Sequence, residues 1–346
     1  MKAVRLHRIG ELSVDDVPTP TAEPGEVLLR VGAVGVCGSD LPRVMLSGAH
    51  RMPVTIGHEF AGTIVELGAG ADGWSVGDRV TVAPLLPCGH CRWCRQGLYH
   101  LCASYDYFGS RRDGALAEYV NVPVANLVKL PDGVSLELGA MADPSATALH
   151  ALWRAKISAG ATVAVYGAGP IGLYAVQWAR ILGAQRIVAV DVWDDKLDLA
   201  QELGATHTVN ARSEDPVQRI EQITDGWLAD TVLEFAALQT TQVQAIRSAR
   251  RQGTVILVGI SHDDLHLPEA AVERIMRHEI AVTGSWNSNS LPYPGREWQL
   301  TVDYFATGQL QGDPLVSHRY SLADAPEIFP RLYRREFSFN KVLFLP

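Results

Sequence analysis

The sequence predicts an α/β protein: a doubly wound parallel sheet of six strands, joined to a second, mostly β domain. Three observations carry this reading. Between residues 162 and 284 six short apolar runs, TVAVYG (162–167), RIVAVD (186–191), HTVNA (207–211), DTVLEFA (230–236), TVILVG (254–259) and IAVTG (280–284), alternate with helix-like stretches such as PIGLYAVQWARILG (170–183). Near-continuous apolar strands separated by helical crossovers belong to parallel sheets covered on both faces. Residues 1–145, by contrast, are rich in Gly and Pro and carry only short β-type runs, EVLLRV (26–31), AGTIVEL (61–67) and DRVTVAP (78–84), which reads as irregular, mostly β structure. From Ser285 the alternation stops, and the chain closes on KVLFLP. That predicts a first domain of residues 1–148, an inserted α/β domain of 149–285, and a return of 286–346 to the first.

Bulk properties narrow the function. A chain of 346 residues, 47% hydrophobic, is long enough for well-buried cores and for two domains. Its formal charge is −8 and it has no long basic run, so the electrostatic footprint of a nucleic-acid or anionic-membrane partner is missing. The opening MKAVRLHRIGELSVDDV is charged throughout and lacks the apolar core of a secretory signal. No run approaches the roughly 18 apolar residues of a membrane span. The expectation is a cytoplasmic protein acting on a small molecule.

The first apolar run of the inserted domain leads into VYGAGPIG (165–172), with Gly167, Gly169 and Gly172 spaced G-x-G-x-x-G between a strand and a helix. The three glycines serve a tight turn, close backbone approach to a pyrophosphate, and close helix–strand packing, and the pyrophosphate rests on the helix N-terminus. Asp191 closes the next strand, nineteen residues beyond Gly172, where a carboxylate accepts from a ribose 2′-hydroxyl. This is the signature of a Rossmann dinucleotide site. An acid at that point repels the extra phosphate of NADP, so NAD is expected. Asp194 and Asp195 add to the repulsion, and Lys196 is the nearby cation that works against it.

Four of the five cysteines fall within PCGHCRWCRQGLYHLC (87–102), as Cys88-x2-Cys91-x2-Cys94-x7-Cys102. Spacing alone allows a disulfide knot, a redox pair, an iron–sulfur cradle or a structural zinc lobe. In a reducing compartment metal is favoured over disulfides. The fifth, Cys37, lies in GVCGSDLPR (35–43), and twenty-one residues later GHEFAG (57–62) supplies His58 and Glu59. Taken singly, Cys37 would be a small buried hydrophobe and His58 a satisfied polar group.

Taken together, CGSD, GHEFAG, the four-cysteine lobe and GAGPIG stand in an order and spacing that resemble the zinc-dependent medium-chain alcohol and polyol dehydrogenases over essentially the whole chain. The resemblance implies a GroES-like catalytic domain beside the Rossmann domain, NAD, and two zinc ions, one catalytic and one structural. It makes Cys37 and His58 catalytic zinc ligands and gives the structural zinc, in a lobe at 86–104, to Cys88, Cys91, Cys94 and Cys102. In the Cys2His members a further cysteine completes the catalytic set, and this chain has none left. Polyol dehydrogenases carry a glutamate at the corresponding place. Here the segment reads MADPSATALHA (141–151) and offers Asp143, one methylene shorter, bound directly or through water, with Glu59 the alternative. Ser39 is implied to start the proton relay, and Pro170, Ile171, Thr147 and Val258 to join the glycines, Asp191 and Lys196 around the cofactor.

The chemistry is coherent by itself. A zinc with an open position lowers the pKa of a bound alcohol, and a carboxylate in place of a thiolate makes the site harder, which suits adjacent hydroxyls of a polyol. Further stretches, CGSDLPR with SGAH (47–50), APLLPC (83–88), YDYFGSRRDGALAEY (105–119), HDDLHL (262–267) and GSWNSNSLPYPGREW (284–298), resemble one branch, the galactitol-1-phosphate 5-dehydrogenases. Arg111 and Arg112 then read either as a phosphate clamp or as solvated turn residues. The substrate expected is a hexitol or hexitol phosphate, with a cyclitol as the alternative, and the assembly a homodimer or homotetramer. A non-catalytic zinc and nucleotide-binding protein is the competing class, and a zinc-free quinone reductase is opposed by the presence of both metal motifs.

Overall fold

The computed structural model describes residues 1–261 and 263–346; His262, which opens HDDLHL, lies outside them. The chain divides into two compact units, residues 1–143 with 288–346, and residues 144–287. The sequence reading sets these divisions at 148/149 and 285/286.

The second unit is the parallel sheet. Its strands are β1 (Thr162–Tyr166), β2 (Arg186–Asp191), β3 (His207–Asn210), β4 (Ala229–Glu234), β5 (Ala249–Leu257) and β6 (Ala281–Gly284), in the spatial order β3-β2-β1-β4-β5-β6 and all parallel. This is the order of two mononucleotide-binding halves, with ligand expected where it reverses beside β1. Central β1 is buried at every residue, which is why its sequence runs apolar without alternation. Tyr166, Val188, Val190, Val209, Val232 and Val255 form the core, each buried valine contributing about 1.5–3 kcal/mol. Two of the large polar-tipped side chains inside show their partners directly: Tyr166 Oη lies 2.6 Å from Ser248 Oγ, and Trp178 Nε1 donates to Ser145 Oγ at 3.0 Å. Strand β5 begins five residues before its apolar run, through the polar ARRQG, with a register shift against β4. Backbone pairing extends it where side-chain pattern gives no sign.

In the first unit the spine is the strand Glu26–Gly35. It pairs antiparallel with Glu59–Leu67, with Tyr119–Pro123 and, at Val34 and Gly35, with the closing strand Lys341–Leu345. Arg79–Val82, Leu127–Lys129 and Val316–Ser321 complete a seven-stranded sheet over Phe60, Ile64, Val80, Phe108, Phe329 and Phe344. The geometry of the site follows from this pairing. The spine ends two residues before Cys37, Glu59 opens the neighbouring strand directly opposite Gly35, and Leu343 faces Gly35 from the other side. Val36 N–H donates to Val342 O at 2.9 Å, so the same register carries Lys341 toward Cys37. A short ladder, Leu85–Leu86 with Asp106–Tyr107, closes the base of the cysteine lobe.

Candidate metal centres and nucleotide site

Donor atoms of Cys37, His58 and Glu59 all lie within 4.8 Å of one another. His58, Glu59 and Asp40 are buried, while Cys37, Ser39 and Asp143 keep an accessible face. The cluster is therefore walled on one side and open on the other. Asp40 organises the wall: one carboxylate oxygen accepts from Cys37 N–H at 3.1 Å, and the other lies 3.2 Å from His58 Nδ1 and 2.5 Å from an Arg43 Nη. The His58 Nδ1 contact with Asp40 is an ion contact without hydrogen-bond geometry. Ser39 Oγ donates to Cys37 Sγ at 3.3 Å. Lys341, 1% exposed, forms a buried ion pair with Glu59 and donates to Val36 O at 3.2 Å. The Tyr107 ring lies 5.5 Å from that of His58.

Burial and neighbouring charges set the electrostatics of this cluster. Burial pushes the Asp143 carboxyl up to about 7, with Glu59 and Asp40 adding to the rise and His58 and Lys341 opposing it. Burial, then the negative groups Asp143, Cys37 and Glu59, hold the Tyr107 phenol well above its usual range. Burial opposes charge on His58, yet Asp40 and Cys37 hold its pKa well above normal. The carboxyls of Asp40, Glu59 and Asp143 and the Cys37 thiol thus share the site with three basic groups, His58, Lys341 and Arg43. The donor set within one ion's reach, a thiol, an imidazole and a carboxylate, suits a zinc ion.

The lobe is a second, closed cluster. Sγ atoms of Cys88, Cys91, Cys94 and Cys102 all lie within 4.8 Å of one another, and the Cys91–Cys94 and Cys91–Cys102 separations are 3.5 and 4.0 Å. Sulfurs tetrahedral about zinc at about 2.3 Å stand roughly 3.8 Å apart, so these values bracket zinc ligation, and all five cysteines are free of disulfides. Backbone N–H donors, His90 first, pull Cys88 down to about 5, whereas burial and its sulfur neighbours push Cys94 up to about 12. The lobe is clasped by the returning chain: His100 N–H donates to Asn289 O at 3.1 Å, Tyr293 hydroxyl donates to Leu85 O, and the Tyr99 and Tyr293 rings meet edge-on at 5.2 Å. The SNSLPYPG part of GSWNSNSLPYPGREW thus serves the lobe.

In the second unit, Gly167 has φ +96°, and a Cβ on Gly172 would sit 1.9 Å from Gly167 O. A Cβ on Gly169 would meet nothing within 4 Å, so the space above that turn is open to a pyrophosphate. Behind it the helix Pro170–Ile181 starts with proline at its first position, where the missing N–H costs nothing. Asp191 Oδ2 accepts from Ala168 N–H at 2.7 Å, and Oδ1 from Val192 and Trp193 N–H at 2.7 and 3.2 Å. The carboxylate is pinned to the glycine turn and to the start of the next loop.

Comparison with known proteins agrees with this geometry. The alcohol dehydrogenase GroES-like domain family matches residues 23–132, and the zinc-binding dehydrogenase family residues 170–306. Galactitol 1-phosphate 5-dehydrogenase of Escherichia coli K12 is 39% identical over 93% of this chain and 92% of its own length. The chain belongs to the zinc-dependent medium-chain alcohol and polyol dehydrogenases. Sorbitol dehydrogenase of Bacillus subtilis is 32% identical over 100% of this chain and 97% of its own. The crystal structure of galactitol-1-phosphate dehydrogenase from E. coli matches with a TM-score of 0.95, 38% identity and full coverage of both chains. A zinc-binding dehydrogenase structure from Sinorhizobium meliloti bound to NADP matches at 0.91, with 34% identity, 100% of this chain and 99% of its own.

Against this dehydrogenase frame, Cys37, His58 and Glu59 form the group within one ion's reach, and Asp143 stands alongside, felt by His58 and Glu59. Thr147 is on the helix Ala142–Ala155, and Val258 follows β5, its N–H donating to Glu234 O at 2.9 Å. Pro170 and Ile171 open the helix after the glycine turn, and Lys196 is on the helix Asp194–Glu202 after β2. Arg111 and Arg112 do not converge. Arg112 pairs with Glu26 at 3.5 Å and Asp106 at 4.0 Å, whereas Arg111 reaches His50 at 3.2 Å. Sequence reasoning passed over Asp40, Tyr107 and Lys341. The signal for Lys341 was there, a lysine opening the otherwise apolar KVLFL.

Proposed function

We propose that this dehydrogenase oxidises a secondary alcohol of a hexitol or hexitol phosphate to a ketose, with NAD as hydride acceptor and one proton released. The observation that carries the reading is the convergence of Cys37, His58 and Glu59 with an accessible face, a donor set with room for an alcohol oxygen. Cys37, His58 and a carboxylate from Glu59 or Asp143 would hold the catalytic zinc, which supplies Lewis-acid stabilisation of an alkoxide near neutral pH. Asp40 stands behind His58 and holds the Cys37 backbone, and Lys341 holds Glu59 in place. Ser39 Oγ, 3.3 Å from Cys37 Sγ, is the group we assign to accept the alcohol's proton and pass it outward. The glycine turn binds the pyrophosphate, and Asp191 accepts from the ribose hydroxyls and repels a 2′-phosphate. The second zinc belongs to Cys88, Cys91, Cys94 and Cys102, whose four thiolates leave no open position.

Among the described residues no helix is long and apolar enough to cross a membrane. We assign a homodimeric or homotetrameric assembly. It is supported by the edge strand β6, exposed at Ala281 and Val282, and is checked by light scattering.

The test is metal analysis together with turnover of galactitol 1-phosphate, galactitol, altritol, sorbitol and inositols, with NAD and with NADP. Two zincs per chain and NAD reduction on a hexitol or its phosphate support the reading. A protein with two zincs that is silent across the panel overturns it.

A further inference from the structure

We propose that Arg111, together with His50, forms a subsite for the phosphate of a phosphorylated hexitol, so that the preferred substrate is the phosphate ester. This deepens the polyol reading and rests on it.

The argument starts from an arginine without a counter-charge. Arg51 pairs with Asp113 at 3.7 Å, Arg112 with Glu26 and Asp106, and Arg43 with Asp40. Among the described residues no carboxylate pairs with Arg111. Its guanidinium is held 4.8 Å over the Tyr105 ring and donates to His50 Nε2 at 3.2 Å. Both neighbours fix its direction, and neither neutralises it. In a chain of net charge −8, a partly buried arginine supported by an aromatic face and a neutral imidazole is arranged to meet an anion.

The histidine is suited to the acceptor's part. Partial burial, then the charges of Arg111 and Arg43, lower the pKa of His50, which favours the neutral ring that Arg111 donates to at 3.2 Å. A phosphate dianion entering there would answer Arg111 with paired N–H donors and let His50 take up a proton.

The place is right for a substrate. Arg43 contacts Asp40, which touches Cys37 and His58. From the other side the Tyr105 ring meets Tyr107 at 6.2 Å, and Tyr107 meets His58 at 5.5 Å. The chain of contact through Tyr107 and Tyr105 thus runs from the metal ligands to the Arg111–His50 pair. Arg112, turned to Glu26, has no part in it.

The experiment compares kcat/KM for galactitol 1-phosphate and galactitol in the wild type, Arg111→Gln, Arg111→Lys and Arg112→Gln, with calorimetric binding of galactitol 1-phosphate and of inorganic phosphate to the zinc-loaded enzyme. A charge-assisted hydrogen bond contributes about 1.5–3 kcal/mol, so R111Q should lower the ester-to-hexitol ratio by about 10- to 150-fold. R111K should recover part of it, and R112Q should leave the ratio where it is. Calorimetry should show the ester binding more weakly to R111Q by a similar factor. A wild type that uses galactitol as well as its ester, or an R111Q ratio equal to wild type, overturns the subsite while leaving the polyol reading intact. Silence on every polyol overturns that reading instead. The subsite is then decided by calorimetry alone: ester or phosphate binding that R111Q weakens supports it, and binding that R111Q leaves unchanged overturns it.

Discussion

Replacing Lys341 with methionine tests the wall of the metal centre. The Lys341 and Glu59 side chains are 1% and 2% exposed, so water does not screen their contact and does not replace it once broken. Removing one member of a buried pair strands the other charge, at a cost of about 3–5 kcal/mol. The unit that contains the pair has roughly 200 residues, and an unfolding entropy of about 2.1 cal/mol/K per residue converts that cost into a fall in Tm of about 7–12 °C. Differential scanning calorimetry of chelator-stripped K341M measures it. The double variant K341M/E59Q should recover most of the loss, because no charge is then left buried. A metal ion bound to Glu59 would also shelter it, so K341M should cost less in the zinc-loaded protein than in the chelator-stripped one. Equal losses in K341M and the double variant would refute the idea that an uncompensated Glu59 is the cause.

Three further outcomes are expected. Cys37→Ser should lower bound zinc from two to one per chain and abolish turnover while leaving NADH fluorescence titration unchanged; retained activity would remove Cys37 from the catalytic set. Cys94→Ser should cost the other zinc and lower Tm, since a lobe this polar relies on metal binding for its fold, and an unchanged Tm would show that the loop stands without it. Asp191→Ala should narrow the NAD-over-NADP preference by about tenfold or more, the worth of one hydrogen bond from a charged acceptor. Arg212, stacked 4.3 Å over Trp193, and Lys196 are then the cations available to a 2′-phosphate. An unmoved preference would detach Asp191 from the ribose.

The parts of the site legible in the sequence are those made by local spacing. Cys88 to Cys102 fold back within one loop, and Gly167 to Gly172 turn within one strand–helix joint, so the distances along the chain already state the geometry. Cys37 and His58 are twenty-one residues apart, yet each ends or begins next to a paired strand, and a motif marks each one. Lys341 is different. It reaches Glu59 across 282 positions only because the closing strand lies beside Glu26–Gly35 in one register, and a shift of one residue would turn it to the other face. Arg111 and Arg112 fail in the opposite sense, since adjacency in a turn sends neighbouring side chains apart. The polar start of β5 was hidden for a third reason: pairing partners, not side-chain alternation, define it.

The two metal clusters are built from opposite uses of the same local physics. In the lobe, backbone N–H groups aim at sulfur and pull Cys88 toward the thiolate, while burial and the neighbouring sulfurs hold Cys94 protonated, so a metal bound there would have to displace the Cys94 proton. In the other centre the supporting groups are charged side chains, Asp40 behind His58 and Lys341 behind Glu59, and the carboxyl left over, Asp143, has its pKa pushed up to about 7, chiefly by burial. A carboxyl so poised gains from a neighbouring cation and loses little when displaced from it. A cation placed nearby would offset the burial that now favours its protonated form, so Asp143 is the carboxyl of this centre whose ionisation should respond most to metal loading.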